Sequence, residues 1–295
     1  MRQVWVAGEA LIDLIPDSSG SRKPLVGGGP ANTAKAVARL GYGTSFVGGI
    51  SSDSYGQMIE HELKASGVEL DLSQRSEAST ALAIATLDSQ GSASYEFKLE
   101  NTATFAFHES WLPTGEVDVI HVGSVATMLE PGASELLKWA TSQLAPIVFD
   151  PNVRPSIQGD KDIYRASVER WIDVASIVKL SEDDLDWLYG DESVVISWFG
   201  RGVSLVVITR GDKGLSALGR DFRVDVPAVS VEVVDTVGAG DTIGAVLVEG
   251  ILEYGLSGLN GTNLLRVLER AARAAAITCS RAGANPPWKA ELDQI

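Results

Sequence analysis

Residues 235–241 read DTVGAGD, and the apolar run TIGAVLVEGIL follows directly. Two carboxylates therefore bracket a turn of small residues at the point where the chain is about to become a helix. The first amides of a helix have no partner within it and lie at the positive end of its dipole. Gly238 and Gly240 leave that backbone open to an incoming anion, so the amides of Val237 to Asp241 form a candidate anion cradle. Asp241 itself has two readings. As a first-turn acid it would only cap the helix. Beside a bound phosphate it would take the proton of an attacking hydroxyl while the amides stabilise the charge in transfer.

Other chemistries fit less well. GAGDTIG resembles a dinucleotide fingerprint, but that motif needs a second strand about 20 residues on, ending in an acid, and here helix-forming residues continue almost to the terminus. No lysine is followed by serine or threonine, so a Walker P-loop is absent. His61, His108 and His121 share no ligand-like spacing, which argues against zinc. Cys279 is the single cysteine, so no internal disulfide forms and a reducing, cytoplasmic setting is expected. A formal charge of −15 over 295 residues opposes binding to nucleic acid or an anionic membrane. No run approaches the roughly 20 apolar residues that span a bilayer, and Glu9 and Asp13 interrupt the apolar start where a signal peptide would not.

The elements that would position such a site follow from periodicity. From residue 118, VDVIHVGS, PIVFDPN and SIVKLS alternate with SELLKWATSQLA and DIYRASVERWIDVA. Short β-rich runs joined by helical ones predict an α/β fold with a doubly wound, mostly parallel sheet flanked by helices. VWVAGEALIDLI, TSFVGGI and SLVVITRG add candidate strands, LIDLIP and KPLVGG on either side of residues 16–24 are expected in a projecting β element, and ANTAKAVARLG and SYGQMIEHELKASG add helices that stop near Gly41 and Gly67. TALAIATL and SASYEFKL, separated by the turn-forming DSQG, read as a hairpin with no crossover helix. Residues 1–295 are expected to form a single domain, with a small projecting β lid from about 12–26 and 79–107.

With these stretches in place, the sequence resembles the ribokinase-like family of carbohydrate kinases. DTVGAGD matches the family's D-T-x-G-A-G-D signature in full, and VGGGPANTAKAVARLG is similar to its first, glycine-rich signature. GEALIDLIP, DPNVRP and KLSEDDL look most like the fructokinases of that family. The resemblance implies Asp241 as general base, working with Gly238, Ala239, Gly240 and Arg154. It implies sugar contacts from Asp13, at the end of the first strand, and from Gly28, Gly29, Asn32 and Arg154. ATP would be met by Lys179, Ser181, Thr209, Gly211, Lys213, Gly238 and Gly240, with adenine against AAITCSRAGAN.

The family's N-x-x-E reads Ser181, Glu182, Asp183, Asp184 here, so Asp184 would reach a magnesium-bound water with one methylene fewer. A potassium ion is implied beside Asp235, the carbonyl of Val237, Ser280 and Gly283. The implied activity is ATP-dependent phosphorylation of a primary sugar hydroxyl, foremost O6 of fructose. Ribose, a 2-keto-3-deoxy sugar acid or a nucleoside are the other substrates, and a non-catalytic sugar-binding regulator is the alternative of a different kind. Relatives also suggest a homodimer paired through the lid.

Overall fold

The computed structural model describes residues 2–16, 21–87 and 93–294. The DSQG turn and residues 17–20 of the expected lid lie outside them. Strands β1 (Gln3–Ala7), β4 (Gly43–Val47), β9 (Val119–Gly123), β10 (Ile147–Asp150), β11 (Ile177–Ser181), β12 (Leu205–Thr209), β13 (Leu215–Leu218) and β14 (Arg223–Val226) form one sheet in the order β14-β13-β12-β11-β10-β9-β1-β4. Pairing is parallel from β12 to β4 and antiparallel along β12-β13-β14.

Side chains alternate across this sheet, as a two-residue repeat requires. Val4, Val6, Val119, Val148 and Ile177 face one core, with α1 (Gly29–Arg39), α2 (Ser54–Ala65), α7 (Ala239–Tyr254) and α8 (Gly261–Cys279). Trp5, Ala7, Ile120, Val122, Phe149 and Val178 face the other, with α3 (Gly132–Thr141), α4 (Lys161–Ile172), α5 (Glu182–Leu188) and α6 (Val195–Trp198). Both sheet faces are covered, which is why the strands read as nearly unbroken apolar runs. The short α9 (Lys289–Leu292) closes the described chain against α8.

A second sheet runs β3-β2-β7-β8, from β2 (Leu11–Pro16), β3 (Arg22–Gly27), β7 (Leu82–Leu87) and β8 (Ala93–Lys98). The β7–β8 pair is antiparallel, as the hairpin pattern predicts, and β2 joins β7 in parallel. Ile12 and Val26 carry this sheet into the first core.

Two of the expected β runs each supply two strands in different sheets. VWVAGEALIDLI breaks at Gly8–Ala10, where β1 ends in the main sheet and β2 begins in the second. A Cβ at Gly8 would lie 2.3 Å from Pro30 Cγ, so helix α1 presses into this bend. TSFVGGI likewise divides into β4 and β5 (Gly49–Ser51), and β5 pairs with β6 (Gln74–Ser76).

Candidate active site

The first turn of α7 sets the geometry. Gly238 precedes it at φ 80, and a Cβ there would sit 2.7 Å from that of Ala284. Both facts require glycine. The Val237 amide donates to Asp235 Oδ1 at 3.0 Å, and the Ala239 amide donates to the Thr236 carbonyl at 3.3 Å. Among the described residues the amides of Gly240 and Asp241 have no partner. The Gly238 amide is likewise without a partner among the described residues, so of the amides from Val237 to Asp241 the tight turn at left-handed Gly238 occupies only those of Val237 and Ala239.

Asp241 is 8% exposed. Its Oδ2 accepts from Asn32 Nδ2 at 2.9 Å, while Oδ1 has no hydrogen-bond partner among the described residues. Burial pushes this carboxyl up to about 6, Asp150 adds to the rise, and Lys179, Asn32 and Arg154 oppose it. Such a group is ionised at neutral pH yet basic enough to take a proton. Lys179 is buried and bonds Asp150 at 2.7 Å. Burial alone would lower its pKa, but Asp150, Asp241 and Asp184 outweigh that and raise it. A Cβ on Gly240 would lie 2.8 Å from Lys179 Nζ, so the missing side chain makes room for the ammonium.

Two cavities meet at this turn. A polar one of about 290 Å³ lies under the second sheet, which lends it Leu11, Asp13, Ala83 and Phe97. An apolar one of about 510 Å³ lies between β12–β13, the 228–233 segment and α8. Thr236 and Gly240 line both.

The polar cavity gathers Asp13, Gly28, Gly29, Asn32, Arg154, Lys179, Val237, Gly238, Gly240 and Asp241 from distant parts of the sequence. Asp13 is not at the end of the first strand as expected. It stands inside β2 of the second sheet, because the chain crosses over at Gly8–Ala10, and Glu9 follows β1 instead. Burial pushes Asp13 up to about 6, with Arg154 opposing. The apolar cavity takes Thr209, Gly211, Ala239 and Gly240, with Ala272, Ala275, Ala276 and Cys279 as a floor of small side chains.

Other expected residues line neither cavity. The Ser181 hydroxyl caps α5 by accepting from the Asp184 amide at 3.0 Å, and exposed Lys213 lies 3.3 Å from Glu182. Both oxygens of Asp184 accept backbone hydrogens, from Val153 and from Ser181, each at 2.9 Å. Asp235 accepts from Val237 and, at 2.8 Å, from the Gly283 amide, so these three residues converge. The Ser280 hydroxyl instead donates to the Ile277 carbonyl. Among the described residues no group of His, Cys, Asp and Glu is arranged to hold a metal ion.

Glu9, Ser124 and Asn152 also line the polar cavity and were missed from sequence. Each follows the carboxyl end of a parallel strand, the usual place for ligand contacts in such sheets, and that position could have flagged them.

The model of the pfkB family carbohydrate kinases matches residues 1–291. A fructokinase of Rhizobium leguminosarum bv. trifolii is 37% identical over 253 residues, 82% of this chain and 77% of that one. One from Klebsiella pneumoniae is 33% identical over 271 residues, 86% of each chain. Among solved structures, fructokinase from Xylella fastidiosa with bound ATP superposes with a TM-score of 0.90 at 26% identity, over 99% of this chain and 98% of that one. Fructokinase from Vibrio cholerae O395 with fructose, ADP and calcium bound gives 0.87 at 27%, over 100% and 98%.

Proposed function

Since the chain belongs to the pfkB family of carbohydrate kinases, we propose that it transfers the γ-phosphoryl group of ATP to O6 of fructose, with Asp241 as general base. The observation that carries this reading is the meeting of a polar and an apolar cavity at Gly240, one residue before Asp241. Fructose occupies the polar cavity, where Asp13 accepts hydrogens from its hydroxyls and Asn32 and Arg154 donate to them. Adenine lies on Ala272, Ala275 and Ala276, and the phosphates run past Thr209 and Gly211 toward the cradle. Asp241 Oδ1 takes the hydroxyl proton as the sugar oxygen bonds to the γ-phosphorus. The bond from that phosphorus to the bridging oxygen breaks, and ADP leaves. The Gly240 and Asp241 amides and the Lys179 ammonium stabilise the transferring charge. Asp241 then returns its proton to solvent.

Magnesium would supply charge neutralisation on the nucleotide. With no metal cluster among the described residues and both Asp184 oxygens committed to backbone, the ion would be carried by phosphates and water rather than by this chain. Potassium would sit at the Asp235 turn. The second sheet acts as a lid that keeps bulk water from the phosphoryl group. The fructokinase relatives at 33% and 37% identity, together with the fructose-bound and ATP-bound neighbours, support both substrates.

A panel of sugars assayed with ATP tests the assignment. Fructose should give a kcat/KM at least about tenfold above ribose, a 2-keto-3-deoxy sugar acid and a nucleoside, since buried polar contacts discriminate at that level or better. A higher value for any of those would overturn fructose while leaving the kinase assignment intact.

A further inference from the structure

Gly29 has no Cβ, and three side chains crowd the place where one would be. Asn152 Nδ2 lies 2.9 Å from that point, Asp241 Oδ1 3.3 Å and Ser124 Cβ 3.5 Å. A hydrogen-bond donor and an acceptor therefore face one gap over Gly29, in the wall of the polar cavity. Neither the Asn152 amide nor Asp241 Oδ1 has a hydrogen-bond partner among the described residues.

Asn152 holds this place at a cost. Its φ is 40, in the left-handed region, where a non-glycine residue is disfavoured by roughly 1 kcal/mol or more. Its neighbours are clamped on both sides. The Val153 amide donates to Asp184 Oδ1 at 2.9 Å, the Arg154 amide to the Tyr164 hydroxyl at 3.1 Å, and Asp150 binds Lys179. Asp184 thus anchors the loop that presents Asn152. Packing gives no reason for the strain, since the amide it presents touches no acceptor in the protein.

We propose that Asn152 is a further catalytic residue, donating from Nδ2 to the oxygen of the same sugar hydroxyl whose proton Asp241 takes. The inference rests on the role given to Asp241 above. A hydroxyl oxygen has one hydrogen and two lone pairs. With the hydrogen on Asp241 Oδ1 and one lone pair on Asn152, the second lone pair is fixed in direction and free to attack phosphorus, so orientation is set before reaction. As the proton leaves, the same N–H stabilises the negative charge that grows on oxygen.

Asn152→Gly tests this, because glycine keeps the left-handed backbone and removes only the amide. Its kcat should fall by about tenfold or more, with a smaller change in KM for the sugar and none in KM for ATP. Asn152→Asp adds a carboxylate beside Asp241, on which Asp150 already acts to raise the pKa and Lys179 and Arg154 to lower it, in a cavity also lined by Asp13 and Glu9. It should move the acid limb of kcat/KM upward by about one pH unit. That shift reports that residue 152 lies beside Asp241, and the catalytic role itself is read from the loss of kcat in Asn152→Gly. Turnover within threefold of the parent in Asn152→Gly, or an unmoved limb in Asn152→Asp, overturns the inference. Asp241→Asn measured in parallel separates the two readings. If it is inactive while Asn152→Gly is not, only the Asn152 inference fails, and if it keeps parental turnover, both do.

Discussion

Burial raises the carboxyls of both Asp241 and Asp13 to about 6, so each titrates where an assay can follow it. A general base works only when ionised. The kcat/KM profile should therefore bend downward near pH 6, with a slope between one and two if both carboxylates must be charged. In Asp13→Asn the limb should become shallower and stay near the same pH. A limb below about pH 5 would contradict the burial that defines the base. Loss of activity here is not loss of fold. Both folded-state values lie above their unfolded ones, so between about pH 4 and 6 the native state binds more protons, and these two groups make it more stable as pH falls. At this scale DTVGAGD marks Asp241 as a candidate from sequence alone, because a carboxylate after a glycine-rich helix start is a local pattern. Glu9, Ser124 and Asn152 carry no such pattern, and their shared place emerges only when the ends of β1, β9 and β10 come together.

The α7 turn depends on Gly238 for two separable reasons, its φ of 80 and its approach to Ala284. Gly238→Ala should lower stability by about 1–3 kcal/mol and depress kcat, as read by urea unfolding and steady-state assays. Gly190→Ala is the control. Gly190 has a similar φ of 75 with nothing within 4 Å of its missing Cβ, so it isolates the backbone term, about 1 kcal/mol. Equal effects at both positions would show that the Ala284 contact does not matter. Element type was legible wherever a run had one period and one environment, as in β9 through β12 and α7. It failed where one apolar run serves two sheets. VWVAGEALIDLI has only Glu9 and Asp13 as charged interruptions, neither of which marks the bend, whereas the close approach of Pro30 in α1 to Gly8 joins distant parts of the chain. The misplacement of Asp13 followed directly from that bend.

Across the whole molecule, the parallel sheet delivers Glu9, Ser124, Asn152 and Gly211 beyond the carboxyl ends of β1, β9, β10 and β12, and α7 brings its amino end to the same edge. The layered α/β architecture could be read in advance because strand and helix patterns alternate in order. The parallel joining of β2 to β7 could not, since about 70 residues separate the paired positions and no turn specifies the register. That pairing brings Asp13 into the lining of the cavity that also holds Asp241.

Phosphoryl transfer by Asp241 between the two cavities is read by phosphorus NMR of the reaction of fructose with ATP in the parent and in Asp241→Asn, with fructose affinity measured by calorimetry in both. The parent should yield fructose 6-phosphate and ADP, and the variant should bind fructose within about threefold of the parent while kcat falls by about 10²–10⁴-fold. Turnover in the variant within a few-fold of the parent would contradict the account.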